Sequence, residues 1–216
     1  METGRVEAFS DGVFAIAITL LILAVAVDQD RAQGTLSNQL LHLWPAYLAY
    51  AVSFVTVGIM WINHHQIFRH FACVDRTLLL LNVLLLMLIS FTPFSTRVVA
   101  EFAHTQADRR AAALLYGINM TMTAILFFAV WMYGSSRLLG ADADRREVSG
   151  ITRSYLPGVP LYGTATLLAF ASPVASLVMF GSLATFYAVS SAVFGRDDDR
   201  TASTVARTAS SGEPLS

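Results

Sequence analysis

The chain has 216 residues, of which 55% are hydrophobic and 13% charged, with a formal net charge of −1. Soluble domains carry about a quarter charged residues, so an ordinary soluble globular domain is excluded, and the near-neutral balance excludes the basic footprint of a nucleic-acid binder. One cysteine, Cys73, excludes an internal disulfide and a multi-cysteine metal site; it is expected to be a small packed residue.

Six apolar runs are expected to form helices, giving an all-α, polytopic membrane protein. The first covers residues 9–27 and is entered through the polar stretch Arg5-Val6-Glu7-Ala8-Phe9-Ser10-Asp11. Acidic residues precede it and no small-residue cleavage site follows, so it reads as a retained helix rather than a signal peptide. Residues 12–27 rise roughly 24 Å as a helix, which puts Asp11 at the edge of the hydrocarbon, where an ionisable group is costly. The second run, 43–63, opens with Trp44-Pro45, a good first-turn position for proline. The third, 78–99, is leucine-rich all round, with Asn82 inside it and Pro93 expected to bend it. The fourth covers 111–133. The fifth (155–171) and sixth (174–194) are split only by Ser172-Pro173 and predict a tight helical hairpin, with Pro157 and Pro160 making the start of the fifth irregular. The segments between are read as polar or charged linkers, among them 64–77 and 134–154. No internal repeat of the six-helix unit is visible. The tail 196–216 lacks the apolar content to fold and is expected to be disordered, leaving 1–195 as the membrane domain.

Arginine counts orient the chain. With the N-terminus in the cytoplasm, ten of the 14 arginines fall on the inner side and four (Arg31, Arg97, Arg109 and Arg110) on the outer. Both termini are therefore expected inside a cell membrane.

On the first helix Gly12, Ile16, Thr19, Leu20, Leu23 and Val27 share one face. That stripe reads either as apolar packing or as rings around a symmetry axis, which would gate by excluding water. Arg5 and Asp11 lie about 120° apart on the helix and cannot pair well with each other. Their partners are sought on other helices, at Trp61, Asn63, His64, His65 and Asn82. Adjacent His64 and His65 diverge by about 100°, and no His-x-x-x-His spacing exists, so no metal is expected. Asp28 and Asp30 would ring the outer mouth of a pore or sit in a solvated loop. Ser90, Thr92, Asn119, Thr121 and Thr123 read as glue between helices, and Arg97 with Glu101 as an exposed ion pair.

Arg5-x-x-x-Phe9-Ser10-Asp11, continuing through Gly12-Val13-Phe14-Ala15-Ile16-Ala17-Ile18-Thr19-Leu20-Leu21-Ile22-Leu23, resembles the Arg-x-x-x-Phe-Ser-Asp signature of the transmembrane protein 175 family of potassium channels. Trp61-x-x-His64-His65 extends the match. The resemblance implies a homotetramer of six-span subunits with the first helix lining a central pore and K⁺ as the permeant ion. It places the hydrophobic constriction at Ile16, further aliphatic layers at Leu20 and Leu23, and an ion-selecting hydroxyl at Thr19. It also implies a polar network of Arg5, Phe9, Ser10, Asp11, Trp61, His64 and Asn82 that holds the pore helix, with pH sensing by His64 or His65 as a second use. No catalytic residues, cofactor, nucleic acid or other protein partner is implied; the bilayer is the surroundings. A proton-coupled cation transporter is the alternative of a different class, and an enzyme is disfavoured because the spans hold few titratable groups.

Overall fold

The structure, a computed structural model, describes residues 3–25, 36–101, 105–140 and 145–187. It consists of helices α1 (Thr3–Leu20, tightening into a 3₁₀ turn at Leu21–Ala24), α2 (Leu36–His42), α3 (Trp44–Phe68), α4 (Arg76–Glu101), α5 (Gln106–Arg137), α6 (Arg145–Tyr155), α7 (Gly158–Ala171) and α8 (Pro173–Tyr187). Four segments are long and apolar enough to cross a membrane: Thr3–Ala24, Trp44–Arg69, Arg76–Glu101 and Gln106–Arg137. Helix α7 has 14 residues, a rise of about 21 Å, and turns directly into α8. Ser172 Oγ accepts from the Ala175 N–H at 3.3 Å, and Ser176 Oγ donates to the Ala165 carbonyl at 2.7 Å, closing that hairpin. Asp28, Asp30, Val27, Arg31 and the tail 196–216 lie outside the described residues, as does the end of the sixth apolar run.

Helix α4 is the centre of the bundle, packed on α1, α3 and α5, while α5 carries α7. Its sequence dictates this placement. Leu78, Asn82, Leu85, Leu86, Ile89 and Thr92 recur at helical spacing and are buried, whereas Leu80, Leu84, Met87, Phe91 and Phe94 form an exposed apolar stripe suited to lipid. The helix continues through Pro93. Proline supplies no N–H there, and Thr92, Ser95 and Thr96 turn their hydroxyls onto backbone carbonyls of the same stretch.

The start of the fifth apolar run is irregular as expected, with a turn at Leu156-Pro157 before α7. Three details depart from the sequence-based expectation. Helix α1 begins at Thr3, so the polar entry stretch is itself helical. The segment 134–154 is not just a linker, for α5 runs on to Arg137 and α6 follows. Cys73 is exposed rather than packed; the 69–75 loop turns Phe71 and Val74 inward and leaves Cys73 outside.

That loop locks onto the end of α5. The Ala72 N–H donates to the Leu138 carbonyl at 2.9 Å and the Gly140 N–H to the His70 carbonyl at 3.3 Å. The Phe71 ring covers Gly134 so closely that a β-carbon there would stand 2.1 Å from it. Asp75 caps α4 by accepting the Leu78 N–H at 2.8 Å and receives the Tyr133 hydroxyl on its other oxygen. These bonds, with the Thr77 N–H and the nearby Arg137 charge, hold the Asp75 carboxyl below the usual aspartate range. A lowered folded value means its contribution to stability is complete above the unfolded value and is lost as pH falls through the folded one. Asparagine caps as well as aspartate, so Asp75→Asn keeps the cap while it removes the charge and leaves an amide NH₂, a donor, facing the Tyr133 hydroxyl. Thermal melts across pH should show the variant less stable than wild type at neutral pH, with the gap closing in acid; a gap independent of pH would refute this.

Candidate pore face and its supporting polar network

Helix α1 has two faces with different fates. Val6, Ser10, Phe14 and Ala17 are buried against the bundle, followed by Leu21 and Ala24 in the 3₁₀ turn. The opposite face is uncovered in the single subunit: Ile16 is 62% exposed, Leu20 42% and Leu23 59%, with Gly12, Ala15 and Thr19 also exposed. The stripe of Ile16, Thr19 and Leu20 thus lies on one helix surface at the expected spacing. Leu23 departs from it in detail. It sits in the 3₁₀ turn, where residues three apart eclipse, so it stands above Leu20, and Ile22 is exposed beside it. The Thr19 hydroxyl donates to the Ile16 carbonyl at 2.9 Å. Its proton is therefore used internally, and its oxygen lone pairs are the polar feature left over.

Behind the stripe, α1 and α3 run antiparallel with matched polar positions. The Trp61 indole N–H donates to Asp11 Oδ1 at 2.8 Å. One turn nearer the N-terminus of α1, Glu7 Oε2 lies 3.7 Å from His65 Nδ1, and the Trp61 and His65 rings stack at 6.4 Å. Glu7 was missed from sequence, although its spacing to Asp11 matches that of Trp61 to His65 on the facing helix. Between these helices, beyond the Asp11–Trp61 bond, is a groove of about 320 Å³ lined by Asp11, Phe14, Ala15, Ile18, Val57, Gly58 and Trp61.

A second, fully buried chain of bonds ties α1 to α3 and α4. Asn82 Nδ2 donates to Ser10 Oγ at 3.1 Å, and Ser10 Oγ donates to the Val6 carbonyl at 2.8 Å. Asn82 Oδ1 lies 2.8 Å from His64 Nε2. With the amide committed to Ser10, that oxygen is the acceptor and Nε2 carries the proton. The structure thus brings together Ser10, Asn82 and His64, and separately Asp11 and Trp61. It does not bring in Arg5 or Phe9: both are exposed, and Arg5 forms no ion pair with a described residue.

A further polar cluster lies toward the opposite end of the bundle. Thr96 Oγ1 and Ser53 Oγ lie 2.9 Å apart, Ser53 Oγ lies 3.4 Å from the Tyr116 hydroxyl, and Asn119 Nδ2 donates to Thr92 Oγ1 at 3.2 Å. It stands about 15 Å along α4 from Asn82. Phe14, Val57, Met60, Leu85 and Ile89, all buried in one apolar core, fill the space between. Of the residues read as glue, Thr92 and Asn119 bond across helices and Thr121 lies 2.8 Å from Thr166. Ser90 and Thr123 instead bond carbonyls of their own helices. Arg97 and Glu101 pair at 2.7 Å on the surface. Among the described residues no three His, Cys, Asp or Glu side chains converge as a metal-binding group.

Known proteins match both sequence and fold. The family described as endosomal/lysosomal potassium channel TMEM175 matches residues 5–93. A potassium channel of Chamaesiphon minutus is 46% identical over 195 residues, covering 88% of this chain and 95% of that protein. The crystal structure of a lysosomal potassium-selective channel TMEM175 homolog from Chamaesiphon minutus superposes with a TM-score of 0.80 at 44% identity, covering 88% of this chain and 98% of that one. The human endosomal/lysosomal proton channel TMEM175 is 34% identical over 179 residues, which are 78% of this chain and 35% of the human protein. The relatives are named as channels rather than enzymes, and the identity, the near-complete coverage and the shared fold together place this chain in the TMEM175 family of membrane channels.

Proposed function

We propose that the protein is a potassium-permeable cation channel, a homotetramer of six-span subunits whose four α1 helices line the pore. The observation that carries this reading is the two-faced α1, which buries one side in its own bundle and leaves Ile16, Thr19, Leu20 and Leu23 uncovered. The 46% identical relative named as a potassium channel supports the choice of ion. One helix cannot enclose a pore, whereas four helices of about 10 Å diameter around an axis leave a passage narrow enough for side chains to close. Helices α7 and α8 supply the fifth and sixth spans. The arginine distribution supports a cell-membrane protein with both termini inside.

Conduction then depends on water. At rings of Ile16, Leu20 and Leu23 an ion must shed part of its hydration, and no carbonyl cage replaces it. The larger K⁺ gives up water more cheaply than Na⁺, so selectivity is modest. Thr19, with its proton bonded to the Ile16 carbonyl, offers oxygen lone pairs, which favour a cation over an anion. Asp11–Trp61 and Ser10–Asn82–His64 hold α1 in place. Purified protein in liposomes should pass K⁺ several times faster than Na⁺ down a gradient. Equal permeation of both ions, or of neither, would overturn the reading, and K⁺ movement strictly coupled to protons would favour the transporter. The human relative's name as a proton channel makes proton current along the same axis a second reading, tested by acidifying one side in the absence of K⁺.

A further inference from the structure

Helix α6 is strongly two-sided. Val148, Ile151, Thr152 and Tyr155 fall on one face and Arg146, Ser149, Gly150 and Arg153 on the other. The first face is held by the bundle. Val148, Ile151 and Tyr155 pack on the core, and Trp131 Nε1 donates to Thr152 Oγ1 at 2.8 Å. The second face is exposed. The helix carries three arginines against one glutamate. Immediately after it Leu156 is 61% exposed, and the apolar α7 begins at Gly158. With α7 as the fifth span proposed above, the exposed Leu156 puts the end of α6 near the lipid headgroups.

From this helix an unbroken column of rings leads to α1. Tyr155 stands 6.4 Å from Trp131, Trp131 6.3 Å from Phe71, and Phe71 5.6 Å from Phe68. Phe68 stacks on His64 at 4.3 Å, and His64 meets Phe14 of α1 edge-on at 5.4 Å. Trp131, Phe68 and His64 are fully buried, so a shift of α6 has little slack to be absorbed in.

We propose that the outer face of α6 binds anionic phospholipid headgroups through Arg146 and Arg153, and that the ring column transmits their binding to α1. The proposal rests on α1 lining the pore. The occupant follows from charge: guanidinium forks match phosphate oxygens, and each arginine near an anionic leaflet strengthens attachment about fivefold.

Binding is read without ion flux, by native mass spectrometry of the purified protein carrying phosphatidylglycerol or phosphatidylcholine. Wild type should retain phosphatidylglycerol preferentially, and the double variant Arg146→Gln with Arg153→Gln should hold it roughly 25-fold more weakly. In vesicles, adding phosphatidylglycerol to phosphatidylcholine should change wild-type K⁺ flux about fivefold or more. The double variant should not respond, while matching wild type in phosphatidylcholine alone. Thr152→Val, which removes the acceptor for Trp131 while keeping the side-chain shape, should bind the lipid normally yet lose most of the flux response. Equal retention of both lipids, retention unaffected by the arginine changes, or a flux response that survives them would each overturn the proposal. Selective retention with no K⁺ flux in either vesicle would leave the lipid site standing and overturn the channel reading and the coupling instead.

Discussion

Ile16→Asn should raise resting K⁺ flux in proteoliposomes at least about tenfold, the factor that corresponds to 1.4 kcal/mol of barrier. Ile16 is the first large apolar side chain past Asp11 on the uncovered face of α1. In the proposed tetramer its four copies form a dry ring on the axis just past Asp11. A ring of branched hydrocarbon stays closed because water gains nothing by entering it. Four amides offer donors and acceptors, water enters, and the dehydration barrier falls. The effect should be polar rather than steric, so Ile16→Leu, of equal volume, should conduct like wild type. Asparagine at Leu20 or Leu23 should also raise flux, with the ranking identifying the tightest ring. Unchanged flux in Ile16→Asn, with the oligomer intact on size-exclusion chromatography, would move the constriction away from Ile16.

Asn82→Leu should have the largest effect on folding, about 2–4 kcal/mol of destabilisation, read as a drop in the denaturation midpoint in detergent. Asn82 hydrogen-bonds both Ser10 and His64, and all three are buried. Leucine keeps the bulk but leaves the His64 Nε2–H pointing at hydrocarbon, which alone costs about 1–3 kcal/mol. It also frees α1 from α3 and α4 near its N-terminal end. Ser10→Ala should cost less, since the Asn82–His64 bond survives. The pair should be non-additive, because once Asn82 is gone the Ser10 hydroxyl still has the Val6 carbonyl. A wild-type midpoint in Asn82→Leu would show that the network does not hold the helix.

Much of this was legible in the sequence for a physical reason. Polar side chains in an apolar run have few partners to choose from, so Asn82, His64, Trp61 and Asp11 identify one another. The uncovered face of α1 was legible as a stripe, since helical spacing is rigid. Several features were not. The tightening at Leu21 depends on how the helix end meets α4, and no residue there signals it. Helix α6 hides because its charges dominate the composition of 134–154, although Val148, Ile151 and Tyr155 already carry helical spacing. The close fit of Phe71 on Gly134 joins a loop to the end of α5, which spacing cannot relate. Arg5 shows the opposite lesson: it belongs to the motif that carries the resemblance, yet it makes no ion pair with a described residue.

The apolar layer of Phe14, Val57, Met60, Leu85 and Ile89, lying between the two polar clusters of each bundle, has an electrical consequence. A proton hopping along hydrogen bonds could enter the Ser10–Asn82–His64 chain, or leave through Thr92 and Ser53, but among the described residues no hydrogen bond joins the two clusters across this layer. The packed side chains thus make the interior of the bundle a poor path for charge. In the proposed tetramer, current of metal cations or of protons then runs along the axis between subunits, where a single plug would silence both.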